Sequence, residues 1–143
     1  MTVGGPEDYW VIPPEIYEPL NKEFHFDFDP CPFPRPEGFD GLTCEWGKSN
    51  WVNPLFGRGI TAFVRKGIAE HAKGKTVVLI LPLDNWVKLL IETIGVKEGS
   101  MGEIRIVGKH RWLKASDRTK SRPASRPSFL FILKSFISES ENE

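Results

Sequence analysis

The stretch KTVVLILP, residues 75–82, constrains the fold more than any other part of the chain. Val77 to Leu81 are consecutive apolar residues without polar alternation, and three of the five are β-branched. Such a run predicts a strand buried on both faces of a sheet, not one that shows a face to water. A doubly buried strand needs a layer on each side, and the flanking sequence offers helices for both. In ITAFVRKGIAEHAKG (60–74), Ile60, Phe63, Val64, Ile68 and Ala72 share one helical face, with Gly74 as the stop. DNWVKLLIETIG (84–95) reads as a second helix, with Asp84 or Asn85 as its N-cap and Gly95 as its terminator. Upstream, Pro14 starts a short helix through EIYEPLNKEF, and FHFDFDP (24–30) alternates like a half-exposed strand. EIRIVG (103–108) and SFLFILK (128–134) complete the strands, while the proline- and glycine-rich 32–49 reads as a long loop. The alternation of strand and helix predicts an α/β protein: a mainly parallel sheet with helices on its faces.

With 143 residues, 40% of them hydrophobic, the chain suits one domain, 1–143, with 1–8 and 138–143 as loose termini. No apolar run approaches the ~18 residues of a membrane span. MTVGGPEDYW has neither a basic nor an apolar export region, so Cys31 and Cys44 read as reduced thiols and the expected location is the cytoplasm. The net charge of zero conceals an asymmetry. Residues 1–49 hold ten acids against three Lys/Arg, whereas 105–126 hold eight Lys/Arg against one acid, Asp117. That basic run fits a solvated face and equally a strip that contacts phosphates, because cationic side chains supply most sequence-independent affinity for nucleic acid.

In sheets of this class, ligands bind at the carboxyl ends of the strands. Two short motifs fall there: Asp29-Pro30-Cys31 and, within SNWVNPLFGRG (49–59), Asn53-Pro54-Leu55-Phe56. The Asn53 side-chain oxygen and the Pro54 carbonyl can both accept from one amino group. Pro54 fixes its own φ and biases Asn53 toward extended geometry, so the two acceptors are preorganised. Phe56 is then available to stack on the ring that carries the amine. An Asn-Pro turn closing a strand has the same local sequence.

The company of this motif extends the reading. DYWVIPPEIYEPLNKEF (8–24), FDFDPCP (26–32), DGLTCEW (40–46), WVNPLFGR (51–58) and VVLILP (77–82) stand in order. Together they resemble the phage-type DNA N-6-adenine methyltransferases, a Dam-like family among the S-adenosylmethionine-dependent amino-methyltransferases. The match covers roughly residues 8–83. It implies a minimal Rossmann-like methyltransferase fold and methylation of the exocyclic amine of adenine in DNA, with S-adenosylmethionine as cofactor and no metal. By the same resemblance Asn53, Pro54 and Phe56 are the catalytic set. Trp10, Pro13, Asp29, Pro30, Cys31 and Asn53 take the cofactor and Phe56 the substrate base, while Arg58 contacts a phosphate or caps the loop. Lys109 and Arg111 are substrate contacts read from the basic run rather than from the resemblance. Leu55 and Phe56 stand where the family has proline and tyrosine, Ile12 replaces its threonine, and PFPRP follows Cys31 where a glycine-rich loop is usual.

Two other readings share these residues. One is an amino-methyltransferase acting on a cytosine amine or RNA adenine; the other is a catalytically inactive, nucleic-acid-binding relative. A chain of this length leaves specificity to loops such as 32–49 and 109–127, or to a partner in a homodimer. Among the remaining candidates, His25, Cys31 and Cys44 lack metal-ligand spacing. His71 reads as an exposed residue late in a helix, and Trp46, Trp51 and Trp112 read first as core.

Overall fold

The computed structural model describes residues 10–32, 36–54, 60–82, 102–108, 111–114, 120–123 and 128–135. The apolar run forms the central strand. In chain order the elements are β1 (Trp10–Val11), α1 (Pro14–Phe24), β2 (Ser49–Val52), α2 (Ile60–His71), β3 (Thr76–Pro82), β4 (Gly102–Gly108), β5 (Arg111–Lys114), β6 (Lys120–Pro123) and β7 (Ser128–Leu133). Val77 to Leu81 are completely buried, and their alternating side chains feed two cores. Val77, Leu79 and Leu81 pack with Trp46, Val52, Ile60, Val64, Phe131 and Leu133 on the α2 side. Val78 and Ile80 pack with Ile12, Leu20, Trp51, Leu130 and Ile132 on the α1 side. Each fully buried aliphatic side chain contributes about 1.5–3 kcal/mol, so this strand dominates the apolar stabilisation of the sheet.

The four-stranded sheet has the order β2-β3-β7-β4. β2 pairs parallel with β3, while β7 runs antiparallel to both β3 and β4. The sheet is therefore mixed. β2, β3 and β4 point one way, and β7 is inserted between β3 and β4 in the opposite sense. This corrects the mainly parallel expectation in detail while keeping the α/β class; SFLFILK is apolar whichever way it runs, so its composition carries no signal for direction.

Two further expectations change. FHFDFDP does not form a strand along its length: Phe24 ends α1, His25 turns the chain at φ 51, and only Phe28 bridges β2, parallel and opposite Asn50. Asn21 makes that exit possible, its carbonyl accepting from His25 N–H and its side chain from Phe26 N–H at 3.0 Å. The basic stretch, read as loop, contains β5 and β6, which form a second, antiparallel sheet in the order β1-β5-β6. Its lysines and arginines hide a strand because strand identity here rests on backbone pairing rather than on an apolar face.

α2 stops at His71, three residues before the expected glycine, and Gly74 closes the following turn at φ 96 with its N–H on the His71 carbonyl. Gly67 lets this helix approach the sheet closely: a β-carbon there would lie 3.2 Å from Val77 Cγ1. The helix read over 84–95 lies outside the described residues. No helix among the described residues is long and apolar enough to cross a membrane.

Candidate functional site

Two chain segments end side by side at the carboxyl edge of the sheet. Phe28 faces Asn50 across a parallel bridge, and Trp51 N–H donates to the Phe28 carbonyl at 3.1 Å. Three residues further along each segment, Cys31 comes opposite Asn53. The backbone of Asn53 hydrogen-bonds to the Cys31 thiol, which joins the Asp-Pro-Cys and Asn-Pro motifs directly. Pro30 and Pro54 are buried, whereas Asn53 and Cys31 are half-buried and Asp29 is exposed. Both prolines thus sit in the protein wall, with polar groups beside them at its surface.

The electrostatics of this edge are unusual for exposed residues. Burial by the surrounding protein pushes the Asp29 carboxyl up to about 6, only partly offset by the Cys31 N–H that donates to its Oδ1 at 2.8 Å. Asp29 is exposed by surface area, and its raised carboxyl reflects the protein packed around it rather than a lack of access to solvent. Among the described residues no cation pairs with it. Burial also raises the Cys31 thiol well above its ordinary value, and the Asp29 charge adds to the effect. Tyr17 shares the same region. Its hydroxyl is raised by burial and then by Asp29, and its ring stands edge-on to Trp51, centroids 5.4 Å apart. Tyr17 lies one turn after Pro13, whose carbonyl accepts from both Ile16 and Tyr17 N–H groups at the start of α1. The first turn of α1 therefore borders the edge that carries Asp29.

Of the residues singled out from sequence, Asp29, Pro30, Cys31, Asn53 and Pro54 come together. Pro13 is buried at the head of α1. Trp10 lies opposite Lys114 in the β1–β5 ladder, and Arg111 opposite Pro123 in the β5–β6 ladder. Phe56, Arg58 and Lys109 lie outside the described residues.

The supporting polar groups were not picked out from sequence. Asn50 is completely buried; its Oδ1 accepts from Gly47 N–H at 2.9 Å, and its Nδ2 donates to the carbonyls of Gly47 at 2.9 Å and Thr76 at 3.0 Å. It locks the turn before β2 onto β3. Nothing in the local sequence, SNWV, distinguished Asn50 from an ordinary polar residue. Glu70 is buried on α2, where it accepts from Trp46 N–H and from Lys73 and Lys75. His71, expected to be exposed, is buried, with Nε2 2.8 Å from the Lys134 carbonyl. Trp46 and Trp51 are core residues, as expected.

No protein-family model matches the chain, and no curated protein matches it either. The functional reading therefore rests on the residues.

Proposed function

We propose that this chain is an S-adenosylmethionine-dependent methyltransferase with a Rossmann-like fold that acts on the exocyclic amine of adenine in DNA. The observation that carries the reading is the direct contact between the two motifs, Cys31 lying opposite Asn53 at the carboxyl edge of β2. Open α/β sheets take their ligands at that edge. The ordered resemblance of residues 8–83 to the phage-type adenine methyltransferases supplies the chemistry.

Within this reading Asn53 and the Pro54 carbonyl accept from the target amine. They hold its lone pair toward the electrophile and increase its electron density, which a conjugated amine requires. Phe56 stacks on the extruded base, since an amine inside a duplex is out of reach of in-line transfer. No protein nucleophile is needed, and the proton leaves after the new bond has formed. The cofactor, when bound, supplies an activated methyl group on a sulfonium. Its cationic methionine end suits a carboxylate, and Asp29 offers one beside Tyr17. By the resemblance Trp10, Pro13, Pro30 and Cys31 also serve the cofactor.

DNA is the proposed partner because eight of the Lys/Arg residues fall within 105–126. β5 and β6 give part of that stretch a fixed backbone, with Arg111 among its residues. Lys109 and Arg58 are the remaining proposed phosphate contacts. Calorimetry with S-adenosylmethionine tests the cofactor directly: saturable binding is expected, and no heat of binding at millimolar ligand would sink the enzyme reading. Salt titration of DNA binding tests the partner, with affinity expected to fall steeply as salt rises.

A further inference from the structure

The segment 40–47, DGLTCEWG, touches the chain at Pro30 and again at Asp27 and Phe28. At one end, the Gly41 α-carbon lies against Pro30 so closely that a β-carbon would fall on the Pro30 carbonyl. At the other end, Gly47 is equally close to the Asp27 carboxylate and the Phe28 side chain. Asp27 in turn accepts from Ser49 N–H at 3.0 Å. Both glycines are therefore close contact points, Gly41 against the Pro30 backbone and Gly47 against the side chains of Asp27 and Phe28.

Between these points the segment is held from behind. Trp46 is 3% exposed, and its indole Nε1 donates to the Gly41 carbonyl at 2.7 Å, fixing the glycine that abuts Pro30. The Trp46 backbone N–H donates to Glu70 Oε1 at 2.8 Å. Glu70 sits near the end of α2, the helix that follows the Asn53 loop, and is held by Lys73 at 2.7 Å and Lys75 at 2.6 Å. Lys75 also donates to the Trp46 carbonyl at 2.8 Å, so both backbone groups of Trp46 are tied to this ion cluster. Cys31 packs against the same apolar cluster as Trp46. A continuous chain of contacts thus runs from α2 through Glu70, Trp46 and Gly41 to Pro30.

We propose that residues 40–47 form a brace that sets the position of the 29–31 strand end against Asn53, with Gly41 and Trp46 as positioning residues. The brace meets Pro30 at Gly41. Its rigidity comes from one buried carboxylate with several donors, so it keeps Asp29 and Cys31 in place. Neither residue touches the reacting atoms. This inference uses the assignment of 29–31 to the cofactor side only for its last readout, because the placement of Asp29 and Cys31 can be measured without any ligand.

The experiment compares Gly41→Ala and Trp46→Phe with the native chain and with Gly38→Ala. Gly38 lies in the same loop at φ 77 with open space around it, so alanine there strains the loop without touching Pro30. Circular dichroism reports the fold, alkylation followed by peptide mass spectrometry reports Cys31, and NMR titration reports the Asp29 carboxyl. Gly41→Ala must displace the Pro30 backbone and is expected to lose stability while keeping its secondary structure, to move the Asp29 titration from about 6 toward the ordinary carboxylate range, and to speed Cys31 alkylation. A thiol that regains one unit of acidity has about tenfold more thiolate below its pKa and, since its nucleophilicity falls with pKa, alkylates roughly threefold faster. Trp46→Phe keeps the ring but loses the indole donor, and is expected to shift both readouts in the same direction by less. Gly38→Ala is expected to leave both unchanged.

Folded Gly41→Ala and Trp46→Phe with native Asp29 and Cys31 behaviour would overturn the proposal, as would equal shifts in Gly38→Ala. Loss of the fold in both test variants would make the segment a folding element and also overturn the positioning role. If the native chain binds S-adenosylmethionine, Gly41→Ala should weaken that binding. If it does not bind, the cofactor reading fails while the two ligand-free readouts still decide the brace.

Discussion

Replacing Glu70 by glutamine probes the energetic centre of the fold. Its side chain is 1% exposed, yet it carries a charge close to Lys73, Lys75 and, at 3.5 Å, Lys66. Burial alone would raise its pKa. The hydrogen bonds from Lys73, Lys75 and the Trp46 amide overcome burial and lower it from 4.5 to about 2. At about 1.4 kcal/mol per unit, the difference corresponds to roughly 3 kcal/mol in favour of the folded state. Because the folded pKa is depressed, that contribution is complete above pH 4.5 and is lost as pH falls toward 2. Glutamine keeps an oxygen for the Trp46 amide but turns an N–H₂ toward the lysines, so Glu70→Gln should cost roughly 2–3 kcal/mol at pH 7, or roughly 10 °C in Tm. Glu70→Ala should cost a further ~1–3 kcal/mol, because the buried Trp46 N–H loses its acceptor. Urea unfolding of the native chain and the glutamine variant between pH 7 and pH 3 reads the gap directly. It should narrow as the pH drops below 4.5. A glutamine variant within about 0.5 kcal/mol of native at pH 7, the scatter of an ordinary surface change, would refute the reasoning. So would a gap that does not vary with pH.

Other expectations concern the edge of the sheet. Asn50→Ala removes three hydrogen bonds from a fully buried position and should destabilise by roughly 2–4 kcal/mol, measured by urea denaturation. Asp29 has the opposite sign to Glu70: its raised pKa means that the native chain loses stability as pH climbs from 3.8 to about 6. Asp29→Asn should abolish that slope and should not destabilise at pH 7, while weakening S-adenosylmethionine in calorimetry. A native slope retained in the asparagine variant would show that another group causes it.

The parts of the fold legible in the sequence were those where burial dictates residue type. VVLIL could only be a central strand, and the spacing of Ile60 and Val64 placed α2 against it. The placing of both motifs at strand ends led to the expectation that they meet at one edge, although Phe28 makes only a single bridge to β2 and residues 32–48, with no helix among those described, join the two. Strand direction was not legible, since β7 has the same apolar composition either way. β5 and β6 escaped because basic, serine-rich sequence carries no period-two apolar pattern. FHFDFDP misled by alternating aromatic and polar residues, although Phe24 and Phe26 stack against each other beside the helix end and only Phe28 reaches the sheet. Glu70 and Asn50 look like ordinary surface residues in a sequence. Their importance comes from partners 24 and 26 positions away, which no local pattern reports.

The central claim is that Asn53 and Pro54 hold an adenine amine beside a bound methyl donor. Mass spectrometry of nucleosides from DNA incubated with S-adenosylmethionine and either the native chain or Asn53→Ala tests it most directly. The account predicts N6-methyladenosine-type deoxynucleoside from the native chain and at least a hundredfold less from the variant, about 3 kcal/mol of lost transition-state stabilisation, with cofactor binding largely retained. Equal yields from the two proteins would remove the motif from the mechanism, and a methylated cytosine or no product from the native chain would contradict the assignment to adenine.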